Sequence, residues 1–365
     1  MAGLQEYKCP CCGGAIEFNS EVQKMKCPYC DTEFEMSALE QLDKDLSADR
    51  ADEVEWDLGQ TNEWSNSEIE GMRVFVCRSC AGEIIGDENM AATTCPYCGN
   101  NVVVMGNFAG GLKPDLVIPF KLNKEAAVKK MADHLTGKKL LPKVFKEQNH
   151  IEEILGVYVP FWLYSADVEV SGRFKGTKVR TWSDGKFAYT QKDHYSITRE
   201  ATLSFEDVPV DASTKMADDL MDSLEPYDYK AAVPFQTAYL AGYMADKYDV
   251  SVEDSKERST ERIKSTAASR LQGTVTGYST VTNEHTNVRF SSNGAKYALL
   301  PAWILNTKWN DQNYTFAMNG QTGKFVGNLP MDKSLKTKYF WSYTGVTSGV
   351  IVLISLILQL LKHIM

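Results

Sequence analysis

"YKCPCCGG", Tyr7–Gly14, puts three cysteines into four positions, and the role of each follows from a repeat. Cys9, Cys12, Cys27 and Cys30 return as Cys77, Cys80, Cys95 and Cys98, every one displaced by 68 positions. The flanks repeat too: "CGGAI" at Cys12 becomes "CAGEI" at Cys80, and "CPYC" stands at both Cys27 and Cys95. Cys11 maps onto Ser79 and is the spare thiol.

Each copy reads C-x2-C-x14-C-x2-C. Two cysteine pairs on a hairpin supply the four thiolates of a closed tetrahedral site, the ligand set of a zinc ribbon. Turns such as "CPYCG" (Cys95–Gly99) aim backbone amides at the sulfurs. Disulfides are the competing reading. The first residues carry no signal-peptide pattern, so a reducing compartment is expected. Iron also suits "CPxCG" knuckles, but no companion redox site is visible, and two structural Zn2+ ions are expected. A ribbon this small has almost no core, so metal binding is also folding. With every ligand position taken by cysteine, no coordination site is left for substrate or water.

The net charge of -9 is localised. From Ser37 to Gly71 stand eleven acids against Lys44 and Arg50, which alone accounts for -9. This segment reads as a solvated linker between ribbon one (1–36) and ribbon two (72–112). Trp56 and Trp64, in "EWDLGQTNEW", either pack on a ribbon or form an acidic-aromatic docking motif. Phosphate binding needs clustered Lys and Arg, yet ribbon two holds only Arg73 and Arg78. The charge pattern therefore weighs against nucleic acid as a partner.

Tyr339–Leu361 is "YFWSYTGVTSGVIVLISLILQLL", 23 residues without a charge. That is enough to span a bilayer, and "VIVLISLILQLL" is apolar all round. Tyr339, Phe340, Trp341 and Tyr343 suit the interface; Lys333, Lys336 and Lys338 precede them, and Lys362 follows. The heavier positive flank places the body in the cytoplasm, giving a single-pass, C-terminally anchored protein of the cell membrane. Gly345 and Gly349 form a G-x-x-x-G that permits helix self-association.

The body, 113–332, reads as an internally duplicated α+β domain. "VIPFK" at Val117, helical "NKEAAVKKMADHL" and "GVYVPFWLY" at Gly156 make one half. "AVPFQ" at Ala232, helical "TAYLAGYMADKY" and "ALLPAWIL" at Ala298 make the other, with "VEDSKERSTERIKSTAASRLQG" as an inserted helix. "DVEVSGRF" and "HYSITREATLSF" alternate as half-buried antiparallel strands, and "YTFAMNGQTGKFVGNLP" reads as two strands around a turn. Pro160, Trp162, Pro301 and Trp303 are packing residues at strand entry. No phosphate loop, H-E-x-x-H or G-x-S-x-G occurs, and the body histidines (His134, His150, His194, His285) stand singly, so no catalytic residue is expected.

Together, the ribbons, the Trp-bearing linker, the two Pro-x-Trp segments, "AMNGQTGK" and the anchor resemble a bacterial family of TFIIB-type zinc ribbon-containing membrane proteins. The resemblance implies zinc on the eight repeated cysteines. It also implies recruitment of partner proteins of phage-shock or flotillin (SPFH) type to the membrane. The expectation is a non-enzymatic adaptor acting in membrane stress or organisation; the alternative is a zinc-ribbon nucleic-acid-binding factor of replication or transcription. Whether the body binds a lipid or small ligand is not legible.

Overall fold

The computed structural model describes residues 9, 14–19, 24–35, 56–59, 64–70, 72–87, 94–100, 102–107, 111–151 and 153–364. Cys11, Cys12 and most of the acidic run lie outside them. In chain order come β1 (Glu17–Asn19), β2 (Lys24–Lys26), β3 (Glu33–Phe34), β4 (Met72–Cys77), β5 (Glu83–Asp87), β6 (Val102–Asn107) and β7 (Leu116–Val117). Helix α1 (Lys124–Leu135) precedes β8 (Leu155–Ser183), β9 (Ala188–Asp211), β10 (Val233–Pro234) and β11 (Met244–Asp246). Helix α2 (Val252–Gly273), β12 (Thr280–Trp309), β13 (Gln312–Asn319), β14 (Phe325–Gly327) and α3 (Lys333–Ile364) complete the chain; short helical turns are left unlabelled. The fold is mixed α+β. It divides into two compact units, 1–59 with 162–210 and 252–296, and 60–161 with 211–251 and 297–365.

In the first unit, β1, β2 and β3 form a small antiparallel sheet whose core is Cys9, Ile16, Met25 and Cys27 with Phe34 beside them. Elsewhere in this unit β8 pairs with both β9 and β12. Strand β8 alternates with period two: Ala166, Val168, Val170 and Phe174 are buried, as a strand facing a helix requires. Helix α2 covers them with Val252, Ser255, Ser259, Ile263, Ala267 and Leu271, residues spaced three and four apart. Gly172 makes this approach possible, since a Cβ there would stand 2.9 Å from Leu271 Cδ2. Trp56 packs here too, edge-on to Tyr164 (4.7 Å) and Phe290 (5.8 Å), so among the described residues this linker tryptophan packs on the body.

In the second unit the strand order is β10-β7-β12-β8-β11-β5-β4-β6, with β13 added to β12 and β14 to β13. Strand β7 runs parallel to β12 (Leu116 opposite Ala298), and β11 runs parallel to β8 (Met244 opposite Val157). Helix α1, N-capped by Asn123 Oδ1 accepting from Ala126 N at 2.9 Å, packs Ala127, Met131 and Leu135 against Phe145, Trp303, Phe316 and Met318. Trp64 stands edge-on to Phe235, and its Nε1 donates to Gly111 O at 3.1 Å.

Three expectations need correction. "TAYLAGYMADKY" is not an α-helix: Thr237–Leu240 is one 3-10 turn, Gly242 takes φ +80°, and Met244–Asp246 becomes β11. A left-handed glycine inside the stretch ends the helical run, and pairing with β8 captures the residues beyond it. "DVEVSGRF" is no separate strand but the continuation of β8, which already contains Pro160 and Trp162. Pro301 likewise lies in mid-strand, where β12 changes partner on one edge from β7 (298–299) to β13 (302 onward). Trp162 and Trp303 are buried packing residues as read. The β13–β14 hairpin and helices α1 and α2 lie where the sequence places them.

Candidate metal centre

The three cysteine knuckles that can be traced through both ends of their turn share one local geometry. Cys77 N donates to Gly82 O (3.0 Å) and Ala81 N to Cys77 O (2.8 Å). Cys95 N donates to Asn100 O (2.7 Å) and Gly99 N to Cys95 O (2.9 Å). Cys27 N donates to Thr32 O (3.0 Å) and Asp31 N to Cys27 O (2.9 Å). The residue after the second cysteine is left-handed each time: Asp31 at φ 56°, Ala81 at 55° and Gly99 at 69°. That conformation is easy for glycine and costs alanine about 1 kcal/mol, so the turn is held by what its two thiols share.

What they share is a cluster of sulfur atoms. In ribbon two the Sγ atoms of Cys77, Cys80, Cys95 and Cys98 all lie within 4.8 Å of one another, with 3.5 Å between Cys77 and Cys98 and 3.6 Å between Cys80 and Cys95. A zinc tetrahedron with Zn–S of about 2.3 Å has edges near 3.8 Å, whereas a disulfide needs about 2.05 Å. The cysteines are free thiols among the described residues, so the disulfide reading fails. In ribbon one Cys9, Cys27 and Cys30 form the matching group, with 3.5 Å between Cys9 and Cys30. Both groups can hold a metal ion such as zinc, with four thiols at ribbon two and three among the described residues at ribbon one.

Electrostatics favour the thiolates unevenly. Burial pushes the Cys77 thiol up, but the N–H groups of Cys80 and Ser79, with the neighbouring thiols, outweigh it and bring the group down to about 7. Burial holds Cys80 and Cys95 above the ordinary thiol value, opposed by N–H groups of Gly82 and of Tyr97 and Cys98 respectively. Residues beyond the cysteines complete the sites and were not legible. Asn100 Nδ2 donates to Cys98 Sγ (3.4 Å) and Ser79 Oγ (3.0 Å), while Thr32 Oγ1 stands 3.2 Å from Cys30 Sγ. Each follows the second knuckle by one residue after its turn, a spacing that the repeat itself displays.

Ribbon two is joined to the rest of its unit. Strand β5 pairs antiparallel with β11, Ile85 opposite Ala245 and Ile84 opposite Asp246. Tyr97, between Cys95 and Cys98, is buried, and Asn306 Nδ2 donates to Pro96 O. Asp246 is 1% exposed and accepts from Ser213 Oγ at 2.6 Å.

A Bacillus subtilis (strain 168) protein, "Uncharacterized protein YdjG", is 35% identical over 256 residues, covering 70% of this chain and 75% of the relative. The chain belongs to the YdjG family. No protein-family model matches, and no solved structure matches. At the other end of the chain, helix α3 contains a segment, Lys333–Leu358, long and apolar enough to cross a membrane and 0% buried. It begins six residues before the uncharged stretch, where Asp332 Oδ1 caps it by accepting from Ser334 N at 2.8 Å.

Proposed function

We propose that this member of the YdjG family is a non-enzymatic, membrane-anchored adaptor carrying two structural Zn2+ ions. Its zinc ligands are Cys9, Cys12, Cys27 and Cys30, and Cys77, Cys80, Cys95 and Cys98. Helix α3 anchors it in the cell membrane, and the lysines before Tyr339 keep the body in the cytoplasm. Contacts at Gly345 and Gly349 would pair two anchors. The body consists of two strand–helix–strand halves, β7-α1-β8 and β11-α2-β12. The support is register: Ala298 and Val157, each three residues before its proline, receive the parallel strand from the other half.

The observation that carries the adaptor reading is the β8–β9 hairpin. Every residue from Val179 to Lys192 is exposed, and the tip presents Trp182 (51%), Phe187 (65%) and Tyr189 (40%). The tip is rigid. Gly185 is left-handed, Asp184 Oδ1 accepts from Lys186 N (2.9 Å) and Phe187 N (2.8 Å), and Tyr189 Oη donates to Asp184 Oδ2 (2.9 Å). Trp182 stacks on Tyr189 at 5.5 Å. Trp, Tyr and Arg on a preorganised surface are the composition of a protein hot spot. Between Lys175 and Tyr195 five bases face two acids, on a chain whose net charge is -9. The partner fitted is a protein with an acidic rim around an apolar contact, which the phage-shock or SPFH type would have to provide. Nucleic acid, the other reading, needs free ring faces for its bases. Trp182 and Tyr189 cover one face of each other, and Lys178 stands 5.3 Å from the Tyr195 and Tyr278 rings.

The test is affinity purification of the tagged full-length protein from gently solubilised membranes, beside Trp182→Ala/Phe187→Ala and Cys95→Ser variants. A salt-sensitive protein partner lost with the hairpin variant, metal content unchanged, is the expected result. A partner kept by that variant, or nucleic acid that washes off with salt, overturns the reading.

A further inference from the structure

The start of helix α3 is not isolated. Asp332 N donates to Leu140 O at 2.9 Å, which ties the helix to the segment between α1 and β8. Lys139 Nζ donates to Tyr343 Oη at 3.2 Å and lies 5.9 Å from that ring. Tyr343 is inside the uncharged stretch, among the aromatics that settle at headgroup depth. The lysine that touches it is therefore at the same depth once α3 crosses a bilayer.

Lys139 brings company. Leu141 (3%) and Phe145 (1%) pin the segment to the core from beneath, and Lys139, Lys143 and Lys146 are exposed. Lys146 Nζ donates to Lys138 O at 2.6 Å, closing the loop on itself. With Lys333, Lys336 and Lys338 on the first turns of α3, seven lysines belong to this one mouth. The acids in the same two segments are Glu147 and Asp332, and Asp332 is engaged in capping. The local balance is +5 on a chain of net charge -9.

We infer that residues 138–146 and the first turns of α3 form a basic collar that binds the phosphate headgroups of anionic phospholipids. The inference rests on α3 crossing a membrane. Anionic headgroups are the occupant because the charge is concentrated at the depth where those phosphates lie, continuous with the membrane-crossing helix. A lysine near an anionic leaflet contributes roughly a fivefold preference. Replacing three is expected to cost on the order of 10- to 100-fold in selectivity for anionic over neutral lipid.

The full-length protein is reconstituted in nanodiscs of equal phosphatidylglycerol and phosphatidylcholine, extracted, and its retained lipid quantified by mass spectrometry. The variants are Lys139→Gln/Lys143→Gln/Lys146→Gln and, as charge-matched control, Lys256→Gln/Lys264→Gln/Lys296→Gln. Flotation with liposomes is measured in parallel. The expected result is phosphatidylglycerol enrichment that the collar variant loses, the control keeps, and excess inorganic phosphate does not abolish. Equal enrichment in all three proteins, or none in the wild type while it still floats, overturns the collar alone. Displacement by inorganic phosphate makes it a soluble-anion site and overturns the lipid assignment. Failure of the wild type to float overturns the anchor reading instead.

Discussion

Trp56 separates a structural linker from a docking linker, and the cost of removing it can be worked from its surroundings. The ring is 9% exposed, meets Tyr164 and Phe290 edge-on, and is followed by Asp57, whose carbonyl accepts from Ala295 N at 2.8 Å. Burying a tryptophan removes about 150–250 Å² from water, roughly 4–6 kcal/mol at 25 cal/mol/Å². Against that, Trp56 Nε1 is buried without a hydrogen-bond partner among the described residues, a penalty of about 1–3 kcal/mol. Trp56→Ala should thus cost about 3 kcal/mol. Trp56→Phe keeps most of the ring contact and discards the unpaired N–H, so its cost should stay near 1 kcal/mol. The assay is amide hydrogen exchange of the detergent-solubilised protein, read at peptides containing Ala295. About 3 kcal/mol of local stability corresponds to roughly 100-fold faster exchange for the alanine variant, with the phenylalanine variant within tenfold of wild type. Equal acceleration by both variants would refute the unpaired-donor argument. Unchanged exchange with loss of the partner would make Trp56 a docking residue.

Metal content comes next. Cys27→Ser and Cys95→Ser should each lose one equivalent by elemental analysis and Cys11→Ser none; zinc leaves the protein colourless, whereas visible absorbance would mean iron. Because β5 of ribbon two pairs with β11, Cys95→Ser should also lower the protection of β11 amides, whereas Cys27→Ser should unfold ribbon one. Burial raises Asp246 to about 7, opposed by the hydrogen bond from Ser213 Oγ and by the neighbouring Tyr97 hydroxyl. A folded value above the unfolded one, near 3.9, means its stabilising contribution is complete below pH 3.9 and is lost as pH rises through 7. Asp246→Asn should therefore gain on wild type by about 2–3 kcal/mol between pH 5 and pH 8 in thermal unfolding, and a flat difference would remove Asp246 from the account. Deleting residues from Tyr339 onward should release the protein into the soluble fraction, and retention on membranes would reveal a second attachment.

The metal groups were legible because their determinants are local. A knuckle needs two cysteines three apart and one residue able to turn left-handed, and a chain of five residues supplies all of it. Helices α1 and α2 were legible for the same reason, each carrying one apolar stripe of helical period. What failed was long-range. "TAYLAGYMADKY" has helical composition, but Met244–Asp246 lies between β8 and β5, and the ladder bonds on both edges outweigh local propensity. The parallel pairings of β7 with β12 and of β11 with β8 join segments more than 80 residues apart, which no local pattern in the sequence displays. The hairpin tip carried a usable signal, the Asp184–Gly185 pair between alternating strands.

The two ribbons share spacing and knuckle geometry but have different neighbours. Ribbon one closes on a core of its own, Cys9, Ile16, Met25 and Cys27 with Phe34 beside them. In ribbon two the thiols of Cys77 and Cys80 sit at the turn between β4 and β5, and β5 pairs antiparallel with β11, which β8 flanks on the other side. Holding that turn closed orders an edge of the unit's own sheet, with Tyr97 and Pro96 seated against it. The same cysteine spacing thus closes a small sheet of its own in ribbon one and an extension of a larger sheet in ribbon two. The difference lies entirely in what β5 has to pair with and β3 does not among the described residues.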